Sequence, residues 1–302
     1  MSEIQQRAPL SAGDVLYEAA RVACLAPSIE DSQPWRWRIR GNTLELRADR
    51  SRQLVGTDPD GRLMIISCGA VLHHASVVLA VLGVAAAVER LDDPADPDLL
   101  ARLTLVGPHQ VTAEEMRLHH ALRTRCTDRR PFLGIAALPD DVMVLLRQAA
   151  APFAVDMHVL APPATTPPVT VSMVAATWPA HLIPASRDAV PTTAAVPKVS
   201  RTGPFRDLGP GEDRYTTYLA FTTAGNTRAD WLHTGEAVSA VLLTATAVGL
   251  ASSVMSDTPD ADGAPAGCWQ LTIRLGVNES APAVPPTPRR PQDEVIDVVR
   301  AG

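Results

Sequence analysis

The sequence lacks most of the signatures from which a function can be read directly. It has four cysteines, Cys24, Cys68, Cys126 and Cys268, and no C-x-x-C pair, so neither a disulfide framework nor a cysteine zinc site is predicted. The eight histidines do not fall at metal-ligand spacings. No Walker A loop and no G-x-G-x-x-G, G-x-S-x-G or H-E-x-x-H motif is present. We therefore expect no metal site and no protein acid or base of those families.

Basic charge and targeting signals are also scarce. Lys and Arg total 27 against 33 Asp and Glu, a net charge of −6, which argues against nucleic acid or an anionic membrane as the main partner. Residues 1–10 lack the apolar core of a secretory signal. The apolar stretch 63–88 contains Ser67, His73 and His74, which favours a buried core helix over a membrane span. We expect a cytoplasmic protein.

The chain does contain regular apolar patterns, and its 302 residues, 46% of them hydrophobic, suffice for two small domains or one large one. Helical periodicity predicts helices at 13–25, 61–82, 113–122, 140–149 and 229–249. Strand-like patterns predict strands at 35–40, 43–48, 102–106, 155–160, 217–223 and 270–277, the first two forming a hairpin. Ten of the 27 prolines lie in 161–210, which is typical of a linker or of a loop that covers a site.

One helical segment occurs twice. The stretches 69–83 (GAVLHHASVVLAVLG) and 235–249 (GEAVSAVLLTATAVG) have glycines at both ends and an offset of 166 residues (235 − 69). A glycine inside a helix costs about 1 kcal/mol relative to alanine, so its recurrence indicates close helix packing, and the final glycine indicates a helix end. The repeat predicts two copies of one α+β unit related by a pseudo-twofold axis, with a site at their junction built from unlike halves.

The densest basic cluster is RTRCTDRRPF, which begins at Arg123. Such a run is usually a solvated loop. The alternative is an anion site, because Arg125, Thr127 and Arg129 alternate and would point to one side of an extended segment. Two guanidiniums and a hydroxyl there can bind a phosphate through charge-assisted hydrogen bonds. A second arginine pair lies in the Pro-rich tail, within PPTPRRP.

A second unusual stretch, PSIEDSQPW, follows the first predicted helix. Its two prolines frame polar side chains in a stiff loop. The ordinary interpretation is a helix stop followed by the start of a hairpin. The alternative is recognition of a planar ligand, with Ser28, Asp31 and Gln33 as hydrogen-bond donors and acceptors.

Together these segments resemble the nitroreductase superfamily, and more closely its actinobacterial Acg type. The loop P-S-x-x-x-x-Q-P-W and the run R-x-T-x-R-x-x-F resemble its FMN-binding segments. The stretches TDPDGRLMIISCGAVLHH, GEAVSAVLLTATAVGLASS and PPTPRRPQDEV extend the likeness over most of the chain outside 161–215. The resemblance implies an α+β nitroreductase fold, internally duplicated into a single-chain pseudo-dimer. Its first half would be 1–110 and its second half 111–302, with an irregular Pro-rich lid or linker at 161–215.

The resemblance also implies one composite FMN site per chain. The arginine run would hold the phosphate and ribityl end, helped by one arginine of the tail, and the Pro-framed loop would lie at the isoalloxazine edge. Backbone contacts near flavin N5 would come from 249–253. The implied cofactor-binding residues are Pro27, Ser28, Asp31, Ser32, Gln33, Arg125, Thr127, Arg129, Ser252, Ser253, Arg289 and Arg290.

The function implied is hydride transfer through the flavin, from NAD(P)H or directly from a substrate, to a nitro compound, a quinone or another small acceptor. Two alternatives stay open: storage of FMN without turnover, and a repurposed biosynthetic oxidoreductase of the same fold. Further association into homodimers also stays open. The chain departs from the family at Asp31, where the family has Asn, and in 161–210, where the family's lid is not recognisable. The first departure bears on redox tuning, because an ionised Asp only accepts hydrogen bonds.

Overall fold

The computed structural model describes residues 11–129, 132, 138–160, 216–256, 266–277 and 286–299. These residues form an α+β fold. Its elements, in chain order, are α1 (Ala12–Ala23), β1 (Trp35–Arg40), β2 (Thr43–Ala48), α2 (Arg62–Val81), β3 (Val84–Arg90), β4 (Leu99–Pro108), α3 (Ala113–Thr124), α4 (Asp140–Ala150), β5 (Asp156–Leu160), β6 (Thr217–Thr223), α5 (Arg228–Ala247), β7 (Ala251–Met255), β8 (Cys268–Gly276), α6 (Gln292–Val295) and β9 (Ile296–Val299).

Local sequence signals explain where several of these elements begin and end. Helix α1 begins in a reciprocal capping box, in which the Asp14 N–H donates to Ser11 Oγ and the Ser11 N–H donates to the Asp14 carboxylate, both at 3.2 Å. The β1–β2 hairpin turns at Gly41, whose φ of 58° suits glycine. The predicted hairpin is confirmed.

Two sheets share one strand order. The first sheet runs β3-β4-β2-β1-β9 and the second runs β7-β8-β6-β5. In each half one antiparallel strand pair precedes a 20-residue helix and another follows it, so β1 to β4 correspond one by one to β5 to β8. The predicted internal duplication is confirmed by this match. The division at residue 110 stays a prediction, and the Pro-rich segment 161–215 lies outside the described residues.

The chain end ties the two halves together. After β8 in the second sheet, β9 pairs in parallel with β1 in the first sheet, with Trp37 opposite Ile296 and Arg40 opposite Val299. Between β8 and β9 the chain therefore passes from one half to the other. This crossing brings the tail arginines beside the first half of the chain.

The long helices α2 and α5 form the centre of the molecule. By length and composition α2 could cross a membrane, and among the described residues it is the one helix that could. However, 83% of its most apolar window is buried inside the protein, because the first sheet, α1, α3 and α5 all pack against it. The predicted core helix is confirmed.

The two repeated glycines meet where α2 crosses α5. A Cβ built on either Gly69 or Gly235 would lie 2.8 Å from the Cα of the other glycine and against backbone carbonyl groups of the opposite helix. His73 Nδ1 and Ser239 Oγ, which have the same 166-residue offset, lie 2.9 Å apart. Positions i and i+166 therefore contact each other near the crossing, as a pseudo-twofold axis requires.

We expect Gly235→Ala to lower the free energy of unfolding by about 3 kcal/mol. The new Cβ would overlap backbone atoms of α2, which cannot move away as a side chain can by changing its rotamer. The two helices would have to separate, and both hydrophobic cores adjoin them. Urea unfolding followed by circular dichroism measures the change.

Gly13→Ala is the matched control. Gly13 also lies in a helix, but among the described residues its Cβ would have only Ser11 Oγ within 4 Å, at 3.8 Å. Alanine has the higher helix propensity, so this variant should be as stable as the parent or more so. A Gly235→Ala variant of parental stability would contradict the close crossing.

Candidate functional site

The loop 27–34, which joins α1 to β1, has an unusual backbone. Glu30, Asp31 and Gln33 have φ values of 50°, 54° and 46°, in the left-handed region that ordinary side chains avoid. Each such residue costs about 1–2 kcal/mol. A loop with three of them persists only where its surroundings hold it in place, and such strain is found at ligand sites more often than elsewhere.

Two serine hydroxyl groups accept hydrogen bonds from the backbone of the loop, one from within the loop and one from α2. The Gln33 N–H donates to Ser28 Oγ within the loop at 2.9 Å, and the Ile29 N–H donates to Ser67 Oγ on α2 at 3.1 Å. The loop is therefore shaped by its own sequence and seated on the central helix. The predicted hairpin start and a shaped ligand loop are both compatible with this arrangement.

The residues 286–291, here called the strap, cross this loop. The side-chain amide of Gln33 donates from Nε2 to Asp31 Oδ1 and to the Pro288 carbonyl, both at 3.1 Å, and its Oε1 accepts from the Arg290 N–H at 3.0 Å. Gln33 is only 5% exposed. Its amide therefore fastens the strap of the second half to the loop of the first half.

The two arginines of the strap have different surroundings. Arg290 Nη1 donates to the carbonyls of Gln33 and Trp35, at 3.2 and 3.4 Å, and lies 3.3 Å from Asp49 Oδ2. Arg289 Nη2 donates to the Leu25 carbonyl at 3.0 Å, and Nη1 lies 3.5 Å from Asp31 Oδ1. Arg290 thus anchors the strap to the first sheet, whereas Arg289 faces the loop.

The arginine run begins where α3 ends and is attached to the second sheet. Arg125 is the C-terminal cap of α3. Thr127 forms an isolated parallel bridge with Ser252 of β7, and the Asp128 N–H donates to the Ser252 carbonyl at 2.8 Å. Ser253 pairs with Arg274 across the β7–β8 ladder, and among the described residues its side chain bonds neither the loop nor the strap.

Two guanidiniums of the run have no acceptor in the described part of the chain. The partly buried Arg125 side chain makes no hydrogen bond or ion pair there, and its Nε is fully buried without a partner. The exposed Arg129 likewise has none. Burial lowers the pKa of Arg125 to about 10, and the positive charge of Arg289 acts in the same direction. An unpaired, partly desolvated cation is costly, which points to an anionic ligand.

Asp31 lies among several positive charges. Burial raises the pKa of its carboxyl above the usual range. Positive charge opposes this, first from Arg289 and then from Arg52 and Arg129. Asp31 also acts electrostatically on Arg125. Four guanidiniums interact electrostatically with this carboxylate, of which Arg289 contacts it directly, and they are here called the arginine cluster: Arg52, Arg125, Arg129 and Arg289. The excess positive charge lies at the junction of the two halves.

Sequence reasoning missed Arg52 and gave His74 no role in the site. Arg52 Nε donates to the Ser32 carbonyl, which places it under the loop. In the sequence, Arg52 is an arginine shortly after the strand predicted at 43–48, and no motif marks it as part of a site. In the sequence, His74 is one of two adjacent histidines in an apolar helix. It lies seven residues, two helical turns, after Ser67 and so on the same side of α2.

The structure therefore brings together the loop, the run and the strap. Pro27, Ser28, Asp31, Ser32 and Gln33 belong to the loop. Arg125 and Arg129 reach it electrostatically, and Thr127 and Ser252 join the run to β7. Among the described residues no group of three or more His, Cys, Asp or Glu side chains is placed to hold a metal ion.

We expect Gln33→Leu to release the strap, because one substitution removes three hydrogen bonds and leaves the Arg290 N–H and the Pro288 carbonyl without partners. The free energy of unfolding should fall by about 2–3 kcal/mol. Amide hydrogen exchange should become faster in the strap and in β9, which follows it.

Gln148→Leu serves as the control, because Gln148 is exposed on α4 and makes no side-chain hydrogen bond with the described residues. Its unfolding free energy should stay within about 0.5 kcal/mol of the parent. Unchanged exchange in the strap of Gln33→Leu would show that the strap is held by other contacts.

Comparison with known proteins finds relatives along almost the whole chain. "Putative NAD(P)H nitroreductase acg" of Mycobacterium tuberculosis is 34% identical, over 94% of this chain and 96% of that protein. "Putative NAD(P)H nitroreductase Rv3131" of the same species is 35% identical, over 91% of this chain and 89% of that protein. No family model matches the chain. A crystal structure of a "putative nitroreductase" from Anabaena variabilis aligns with 87% of this chain and 73% of that chain, at a TM-score of 0.49 and 13% identity.

Proposed function

The chain belongs to the nitroreductase superfamily, to its Acg type, and on that premise we propose that it binds one FMN between its two halves and uses it in oxidoreduction. The membership itself makes the protein a nitroreductase-like oxidoreductase. The flavin, its electron donor and its electron acceptor are the parts that the proposal adds.

The observation that carries the proposal is the pair of guanidiniums, at the junction of the halves, that have no acceptor among the described residues. A solvated loop accounts for the exposed Arg129. It does not account for Arg125, whose Nε is buried without a partner in the described part of the chain and on which the positive charge of Arg289 acts. A phosphate dianion would supply the missing acceptors, and forked guanidiniums match its geometry. The hydroxyl of Thr127 lies between them in sequence and is available to the same group.

Of the two strap arginines, Arg289 is the one suited to help at the phosphate. The guanidinium of Arg290 is occupied by two carbonyls and Asp49. The Nε atoms of Arg289 and Arg290 are both buried without a hydrogen-bond partner in the described chain, but it is the charge of Arg289 that acts on Arg125. We therefore assign Arg125, Thr127, Arg129 and Arg289 to the phosphate and ribityl end of FMN.

The loop would hold the ring end. Asp31 Oδ1 already accepts from Gln33 and faces Arg289, whereas Oδ2 has no partner among the described residues. As a carboxylate it can accept from a ring N–H. The amide of Gln33 is largely used by the strap, so its part is to fix Asp31 and the strap relative to each other. Ser252 and Ser253 stay assigned to backbone contacts beside the ring.

Bound FMN would supply the redox chemistry, which is to take hydride from NAD(P)H and deliver it to a nitro compound, a quinone or another small acceptor. The residues of the chain bind and orient the cofactor and set the charge around it. The arginine cluster would neutralise the phosphate. At the ring, the negative charge of Asp31 would be largely balanced by the positive charge of Arg289. No side chain is assigned a proton-transfer role.

We expect Arg125→Ala combined with Arg129→Ala to weaken FMN binding about 100-fold or more, since each charge-assisted hydrogen bond is worth about 1.5–3 kcal/mol. Quenching of flavin fluorescence on titration with the apoprotein measures the dissociation constant. Arg123→Ala is the control, because Arg123 lies in the same run but is exposed on the last turn of α3. Parental affinity in the double variant would place the phosphate elsewhere.

The absorbance of the purified protein tests the cofactor, and an assay with NADH or NADPH and a nitroaromatic tests turnover. We expect flavin bands near those of free FMN after reconstitution, and oxidation of the reduced nicotinamide that depends on the acceptor. Bound FMN without turnover would favour storage. The absence of flavin bands after reconstitution would reject both flavin-dependent turnover and FMN storage. A repurposed protein of the same fold would then be the remaining alternative.

A further inference from the structure

His74 is a buried polar side chain that the fold does not explain. It is 0% exposed, and neither Nδ1 nor Nε2 has a hydrogen-bond partner in the described part of the chain. Its neighbour His73 differs, because that ring meets Ser239 on α5 at 2.9 Å. Buried polar groups without partners are rare in folded proteins and cost about 1–3 kcal/mol each. His74 is distinguished by having both ring nitrogens buried without partners in the described chain, which makes it a candidate for a functional role.

The surroundings of His74 point to the arginine cluster. Burial lowers its pKa well below the usual range, and positive charge adds to this effect. The charged or titratable groups that act on it are His73 on the same helix, Arg125 after α3, and Arg289 in the strap. A neutral imidazole has one N–H donor and one acceptor nitrogen. His74 therefore offers a hydrogen-bond acceptor in the neighbourhood of two guanidinium donors, Arg125 and Arg289.

Arg125 is the better partner of the two arginines. Arg289 Nε is also buried without a partner in the described chain, but the two Nη groups of Arg289 are already held by the Leu25 and Thr287 carbonyls and by Asp31. Arg125 makes no side-chain hydrogen bond with the described residues, and its buried Nε is unpaired, as are both ring nitrogens of His74. Helix α3, which Arg125 caps, packs against α2, which carries His74. His74 and Arg125 therefore belong to neighbouring helices, and both have nitrogen atoms without partners among the described residues.

We propose that His74 is a positioning residue for Arg125: its neutral ring accepts the Nε–H of Arg125 when a phosphate is bound, so that both Nη groups of Arg125 face the phosphate. This rests on the proposed function. A guanidinium held at Nε keeps the edge that binds an anion through two parallel hydrogen bonds. His74 itself does not touch the cofactor.

The test measures FMN dissociation constants of the full chain by fluorescence quenching. His74→Leu should bind FMN about tenfold more weakly or worse, because a hydrogen bond to a charged group is lost. His74→Gln should stay within about threefold of the parent, since its amide oxygen accepts in place of the ring nitrogen. His74→Met replaces His74→Leu if the latter does not fold.

Two further readouts separate positioning from a structural role. In the FMN-free protein, His74→Leu should have a Tm equal to or a few degrees above that of the parent, because it removes an unsatisfied buried group. In an Arg125→Lys background, which lacks the Nε–H but keeps the charge, His74→Leu should change FMN affinity less than twofold. His73→Gln, the adjacent buried histidine that faces α5, should leave FMN affinity unchanged.

Parental FMN affinity in His74→Leu would overturn the inference and leave the proposed function standing. So would a tenfold loss that persists in the Arg125→Lys background, because the effect would then not pass through Arg125. If the parent protein bound no FMN at all, the proposed function would fail, and this inference with it.

Discussion

The structure depends on the contact between two helix backbones at Gly69 and Gly235. A contact without side chains is possible only because both residues are glycine, and it fixes the distance between the two halves. Directly after Gly235, the buried Glu236 accepts two hydrogen bonds from Arg90 of β3, at 2.7 and 2.8 Å. Burial raises the pKa of Glu236, which Arg90 opposes, so the second half's helix and the first half's sheet are paired electrostatically beside the crossing.

Every part of the candidate site is placed relative to these two helices. Ser67 on α2 supports the loop 27–34, and α3, which ends in Arg125, packs against both α2 and α5. Ser252 lies on β7, which follows α5 directly and holds the arginine run. The strap lies on the loop of the first half, immediately before β9 joins the first sheet. A duplicated fold can therefore carry one site of unlike parts, because each half supplies what the other lacks.

The charge balance of the site bears on the departure at Asp31. An isolated carboxylate beside a flavin would disfavour the anionic reduced ring and lower its potential. In this chain the carboxylate faces Arg289 at 3.5 Å and receives the amide of Gln33. In the proposed site the ring would meet an ion pair rather than a bare charge, and the surrounding arginine cluster would outweigh it. The replacement of Asn by Asp thus comes with its own compensation.

The sequence by itself determined the duplication, the five long helices and six of the nine strands in the described part of the chain; β3, β7, β9 and the short helix α6 were not among the predicted elements. Apolar periodicity is a local property of the sequence, so the helix predicted at 61–82 is found at Arg62–Val81 and the hairpin is found as predicted. The repeated glycines indicated the close packing of α2 and α5. The tertiary structure alone decided which side chains meet. Gln33 and Pro288 are 255 residues apart, and β9 is too short to show a period. Arg52 and His74 are single residues whose meaning comes from neighbours distant in sequence, and only packing brings those together.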